Sequence, residues 1–204
     1  MPITNDSARL IAFVTFSAVV AGTPGPGNAL LAAAGARVGF RRGLPSLLGQ
    51  VMGMGAMLFA LTLGLGGVLL AHPLALQVLR WSGAAMLFWM AWRIAAAGHA
   101  GQATNAPAGF LGMAAFQWVN PKGWLVSAAA IATFLDRRSG GALAQAALFA
   151  TVFTLIALPA CLPWLAFGAA LQRFIRAPRA QHVVNAAMAA LLAASAILLV
   201  WTHF

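Results

Sequence analysis

The residue whose type and position most suggest chemistry is Lys122, which lies inside an apolar stretch that reads FQWVNPKGWLVSAAAIA. A lysine near the centre of a membrane helix costs roughly 2.5–3.5 kcal/mol on insertion scales, so its presence there indicates a functional role. Pro121, directly before it, lacks a backbone donor and interrupts a helix. We therefore expect a broken helix, with Asn120 bonding the freed backbone groups and Lys122 available to carbonyls, to an anion or to water.

A second break is predicted at TPGPGN, residues 23–28. Its two prolines donate no backbone hydrogen bond, and its two glycines are poor helix formers. Amides that begin the next half-helix would lack intrahelical partners, and a helix N-terminus of this kind suits a carboxylate. A simple proline kink packed against neighbouring helices is the alternative. The residues of this predicted site are Thr23, Pro24, Gly25, Pro26, Gly27 and Asn28.

Composition indicates which solvent surrounds these elements. Of the 204 residues, 62% are hydrophobic and 7% are charged, against about 25% charged in soluble domains. The formal charge of +10 is spread over short connections, which favours contact with lipid headgroups and not with nucleic acid. The single cysteine, Cys161, excludes an intrachain disulfide, and no metal site, cofactor or catalytic group is predicted.

Six apolar stretches can be counted, and each is about long enough to cross a bilayer as a helix, which takes ~20 residues. Turn-like or charged segments such as GFRRG and DRRSGG separate them. Strand alternation is absent, so we predict an all-α membrane protein with six transmembrane helices, the first and fourth broken at their proline motifs. The stretches cover about residues 8–36, 44–70, 74–97, 110–135, 142–171 and 183–201.

The chain also looks duplicated. Pro24 and Pro121 lie 97 residues apart, and the arginine pairs that follow them, Arg41–Arg42 and Arg137–Arg138, lie 96 apart. We predict one polytopic domain over residues 1–204, with repeat 1 at about 8–97, a linker at 98–108 and repeat 2 at about 109–204. Because three helices is an odd number, the second repeat would insert upside down, and broken helices at matching positions indicate a transporter's binding site.

Positive charge gives a prediction for orientation. Seven arginines fall in loops one, three and five, and four fall on the other side, so the first side is expected to be cytoplasmic and both termini external. A five-span chain with one re-entrant segment is the alternative. The seven are Arg37, Arg41, Arg42, Arg93, Arg173, Arg176 and Arg179, and the four are Arg9, Arg80, Arg137 and Arg138.

Three further polar residues, Gln50, Gln117 and Asn185, are expected to join both breaks in lining a midplane site for small zwitterions. Asp6 and Asp136 are the only acids, so a second positive charge on a substrate would find no buried carboxylate, and neutral amino acids are predicted. For Lys122 three roles stay open: substrate contact, release of a proton during transport, or a purely structural role. A non-transporting membrane subunit and a membrane-embedded enzyme are the alternatives to a carrier.

The motifs TPGPGN at 23–28, SGAAMLFWMAWRI at 82–94 and QWVNPKGW at 117–124 resemble the LysE/RhtB family of bacterial amino-acid exporters, and within it the cysteine/O-acetylserine exporter type. Gly27 stands where many members have Asp or Asn. The resemblance implies a multi-pass protein of the bacterial inner membrane that exports small amino acids such as cysteine, O-acetylserine, homoserine or threonine. It also implies the proton gradient as energy source. Membrane lipids are the expected partners, and a homo-oligomer is left open.

Overall fold

The computed structural model describes residues 3–65, 72–96, 109–135, 141–174 and 178–201, and within these ranges the chain is helical with no strand. The predicted linker at 98–108 lies outside the described residues. The helices, numbered in chain order, are α1 (Ile3–Gly22), α2 (Pro26–Ala60), α3 (Pro73–Ala96), α4 (Gly109–Val119), α5 (Pro121–Phe134), α6 (Ala142–Phe174) and α7 (Pro178–Trp201). A π-helical turn at Leu61–Leu65 follows α2.

Both predicted breaks are present, and a proline begins the helix after each of them. Pro26 is the first residue of α2 and Pro121 the first of α5, positions where a missing N–H removes no intrahelical bond. The two prolines that occupy equivalent positions are therefore Pro26 and Pro121, and not the Pro24 and Pro121 of the sequence pairing. The interruption at each break is short.

The first two predicted stretches, at 8–36 and 44–70, are divided differently in the structure. The long helix α2 begins within the first stretch and continues into the second. It is interrupted at Gly39, whose φ of 80° and ψ of 175° are not helical. This positive φ is a conformation that glycine adopts without the steric cost paid by other residues. Gly39 thus makes the bend that the GFRRG segment predicted.

The core consists of α2 and α6 packed along each other, with α4 against α2, α1 against α6 and α3 against α7. Small residues allow the backbones to approach closely. A Cβ on Gly49 or Gly53 would collide with the backbone of α4 at Phe110 and Ala114, and one on Gly35 would collide with the backbone of α6. Gly49 and Gly53 thus allow the backbones of α2 and α4 to approach closely.

An aromatic cluster holds α1 in place beside α5 and α6. Phe13 of α1 is 1% exposed, and its ring centroid lies 5.3 Å from that of Phe134 and 4.8 Å from that of Phe149. Aromatic pairs at such distances stabilise beyond their buried area. The cluster therefore packs the middle of α1 against α5 and α6.

The outer surface is apolar, which agrees with a membrane protein. Among the described residues, two helical segments, Pro26–Leu65 and Ala142–Leu171, are long and apolar enough to cross a bilayer, and shorter apolar helices occupy Ser7–Gly22, Gly109–Val119 and His182–Ile197. The all-α prediction holds, whereas the six-span inverted repeat stays a prediction. The most exposed large apolar side chains include Leu74, Trp81, Trp92, Leu111, Leu143, Leu155, Val183 and Trp201.

Candidate functional site

The break after α1 leaves carbonyls without helical partners, and side chains from three parts of the chain bond them. Asn28 Nδ2 donates to Ala21 O at 2.7 Å and to Thr23 O at 2.9 Å. Trp164 Nε1, on α6, donates to Gly22 O at 3.0 Å. Buried carbonyls without donors would each be costly in lipid. The break is thus stabilised by hydrogen bonds that reach across it.

The first backbone amides of α2, by contrast, have no such side-chain partner among the described residues. No side chain caps the helix within the described part of the chain, and the first helical bond runs from Ala29 N to Gly25 O at 2.9 Å. The amides of Gly27 and Asn28 precede that bond and are the unpaired donors of a helix start. They carry the partial positive charge of a helix N-terminus, which favours an anion.

At the second break, a residue directly before α5 caps the N-terminus of that helix. Asn120 Oδ1 accepts from Lys122 N at 3.2 Å, and Asn120 Nδ2 donates to Gln117 Oε1 at 3.2 Å. Trp124 Nε1 donates to Trp118 O at 2.8 Å. The expectation that Asn120 bonds the freed groups is confirmed, and the α5 terminus keeps one of its amides occupied.

Lys122 joins the two breaks. Its Nζ donates to Thr23 Oγ1 at 2.9 Å and to Thr23 O at 3.1 Å, contacts between residues 99 positions apart. This confirms that a backbone carbonyl is one of the partners predicted for the lysine. An ammonium group has three donors, so a third remains for a ligand.

A cavity of about 50 Å³ lies between the breaks, room for roughly three to five water molecules at ~10–15 Å³ each. Seven predicted site residues line it: Gly25, Gly27, Asn28, Gln50, Gln117, Asn120 and Lys122. Thr23 contacts Lys122 but is not among the lining residues, and neither are Pro24, Pro26 and Pro121, which shape the backbone. Asn185 is half-buried on α7 and likewise does not line this cavity.

The sequence analysis missed the contribution of α6. Cys161 is buried, and its Sγ accepts from Gln50 Nε2 at 3.4 Å and lies 3.4 Å from Ala21 O. Phe153 and Ala157 complete this wall of the cavity. The spacing of Phe153, Ala157 and Cys161 is four residues each time, which places them on one helix face, and that was the available signal.

Comparison with known proteins agrees with this geometry. Residues 18–203 match the model of a family described as LysE type translocator. Proteins named cysteine/O-acetylserine efflux protein from Salmonella choleraesuis (strain SC-B67) and Escherichia coli (strain K12) are each 34% identical over 128 residues, which is 62% of this chain and 65% of theirs. The matched part therefore spans just under two thirds of these relatives. No solved structure matches the chain.

The family match covers most of the chain, including both breaks and Lys122, and it describes transporters and not enzymes. The structure agrees, because its broken helices meet at a polar cavity within an otherwise apolar molecule. The chain belongs to the LysE type translocator family.

Proposed function

We propose that the protein is a secondary transporter that exports small neutral amino acids or their derivatives, of the cysteine/O-acetylserine or homoserine/threonine class, across the bacterial inner membrane. The family match and the names of the relatives support export of amino acids. The proton gradient is proposed as the energy source.

One observation carries this proposal: a single cavity contains both Lys122 and the residues at the open N-terminus of α2. A charged donor and free helix amides both favour a carboxylate, and charge-assisted hydrogen bonds are the stronger ones. The third donor of the Lys122 ammonium would bind the carboxylate of a substrate while Thr23 keeps the other two. The half-helix after Gly25 would provide a second contact.

Neutral substrates follow from what the cavity lacks. None of its described lining residues is acidic, and the whole chain has only two acids, Asp6 and Asp136. A lysine or arginine substrate would bring a second positive charge beside Lys122 with no carboxylate to compensate it, and an uncompensated charge in a poorly hydrated site is costly. The side chain of the substrate is therefore expected to be uncharged.

The order of the helices supports two inverted repeats of three spans each. In both parts of the chain a helix ends and an N1 proline starts the next one: α1 and α2 are followed by α3, and α4 and α5 by α6 and α7. Transporters with such repeats place the substrate where the broken helices meet, near the bilayer midplane. Movement of one repeat against the other would open the cavity to alternate sides.

Counterflow in proteoliposomes tests the proposal. Vesicles containing the purified protein and loaded with unlabelled O-acetylserine should accumulate labelled O-acetylserine, and an imposed proton gradient should drive net movement. Protein-free vesicles are the control for leakage. Vesicles loaded with lysine or arginine should show no counterflow of these amino acids. Exchange of the cationic amino acids alone, or no exchange of any neutral one, would contradict the proposal.

A further inference from the structure

Among the side-chain amides of the cavity wall, that of Gln50 is the one that the described residues leave half unpaired. Its side chain is 7% exposed, its Nε2 donates to Asn28 Oδ1 at 2.9 Å and to Cys161 Sγ, and its Oε1 is buried with no hydrogen-bond partner in the described ranges. A buried acceptor that lacks a donor is unfavourable. Such groups call for an explanation, and a ligand is one.

The orientation of this amide follows from the break itself. The carbonyls of Ala21 and Thr23 can only accept, so the NH₂ group of Asn28 must face them. Asn28 Oδ1 then faces the other way, where it can only accept, so Gln50 must present its NH₂ group to it. Each amide has one donor end and one acceptor end. The free acceptor, Gln50 Oε1, is therefore a consequence of how the first break bonds its carbonyls.

Gly25 and Gly27 leave room for the Lys122 ammonium group and the Gln50 amide in the cavity wall. A Cβ on Gly27 would lie 2.8 Å from Gln50 Oε1, and a Cβ on Gly25 would lie 3.1 Å from Lys122 Nζ. Two residues of extended chain span at most about 7 Å. The acceptor and the cation thus lie against two residues of the same short stretch of backbone and line the same cavity, an arrangement that suits a molecule with an ammonium group and a carboxylate on one carbon.

We propose that Gln50 Oε1 accepts a hydrogen bond from the ammonium group of the substrate, and that Gln50 is the residue that selects α-amino acids over carboxylic acids that lack the amino group. This inference rests on the proposed function and specifies how its site recognises the substrate. The carboxylate binds toward Lys122 and the α2 N-terminus, and the ammonium binds toward Gln50. A site built to bond a polar group rejects an analogue that lacks it, because the buried partner is left unpaired.

The test compares two inhibitors of O-acetylserine counterflow, L-homoserine and 4-hydroxybutyrate, which is the same molecule without its amino group. In the wild-type protein homoserine should inhibit at a concentration about 10–150-fold lower, the range of a hydrogen bond to a charged group. Gln50→Met keeps the length of the side chain and removes the acceptor. This variant should lose most of that preference, through weaker inhibition by homoserine with little change for 4-hydroxybutyrate.

Two further variants make the result specific. Gln77→Met removes an exposed amide on α3, remote from the cavity lining, and should keep the wild-type preference. Gly27→Ala places a methyl group against Gln50 Oε1, so it should lower the preference while Gln50 itself is retained, and it serves as the test if Gln50→Met does not fold.

The outcomes separate this inference from the proposed function. If the wild-type protein exchanges O-acetylserine but Gln50→Met and Gly27→Ala keep the full preference for homoserine, the inference is wrong and a water molecule satisfies Oε1. If the wild-type protein shows no counterflow of any neutral amino acid, the proposed function fails and this inference fails with it. Loss of the preference in both variants, with Gln77→Met unchanged, supports it.

Discussion

The breaks after α1 and after α4 have the same origin and different consequences. Each is made by a proline at the first position of the following helix. At the first break, Asn28 of α2 and Trp164 of α6 bond the carbonyls at the end of α1, and the first amides of α2 stay open. At the second, Asn120 caps α5 and contacts the preceding Gln117, a local arrangement of neighbours in sequence. In the proposed carrier the first break would form the binding surface, and the second would position a charge.

This difference indicates which role each break has in the proposed carrier. A capped helix terminus holds Lys122 at a defined place, because the Asn120 cap orders the first turn of α5. An uncapped terminus retains donors for a ligand. Lys122 reaches from the ordered break to the open one through its two bonds to Thr23. Substitutions at the two breaks should therefore affect different properties.

The largest expected effect is on stability, from Asn28→Leu at the first break. This change removes the donors to Ala21 O and Thr23 O and the acceptor of Gln50 Nε2. With about 0.5–1.5 kcal/mol for each of the three hydrogen bonds lost, the free energy of unfolding should fall by roughly 2–4 kcal/mol. Unfolding by denaturing detergent in mixed micelles measures it. A loss below about 1 kcal/mol would show that Asn28 does not hold the first break together.

The next effect is on transport, from Lys122→Met at the second break. Transport should fall about 10–150-fold, equivalent to ~1.5–3 kcal/mol, because a charge-assisted bond to the substrate carboxylate is lost. Stability should be unchanged or higher, since an expensive group leaves the membrane and Thr23 O retains its bond from Asn28. Counterflow and unfolding of the same preparation check both. Normal transport by a fully expressed variant would assign Lys122 a structural role.

Lys122→Arg distinguishes substrate contact from proton release within that same position. Arginine keeps the positive charge but does not deprotonate in proteins. If the lysine contacts substrate only, exchange and net export should fall together and in part, since the guanidinium is wider. If it carries the coupling proton, exchange should persist while net export driven by a proton gradient is lost.

The smallest effect is expected for Asn120→Ala, the counterpart of the Asn28 change. Loss of an N-cap costs about 1 kcal/mol, and Asn120 Nδ2 gives up only one side-chain partner, Gln117. In the same unfolding measurement, this variant should therefore keep a clearly higher free energy of unfolding than Asn28→Leu. Equal losses in the two variants would show that the breaks are stabilised alike and would remove the contrast drawn between them.

Sequence alone was sufficient for the all-helical class, for the location of both breaks and for the position of Lys122 beside the second one. Each of these depends on local chemistry: the low fraction of charged residues, the missing N–H of proline, and the cost of a lysine in lipid. The capping by Asn120 also follows from neighbours in sequence. The number of spans and their orientation stay predictions.

Only the tertiary structure decided which polar groups meet. Gln50 reaches Cys161 across 111 positions, and Trp164 reaches Gly22 across 142, distances at which a sequence pattern carries no signal of contact. In lipid, helices that are apolar on all sides show no polar face to indicate their rotation. That rotation is set by close packing at glycines such as Gly35, Gly49 and Gly53. Because it determines which side chains turn inward, the free Gln50 acceptor could be recognised only in the folded molecule.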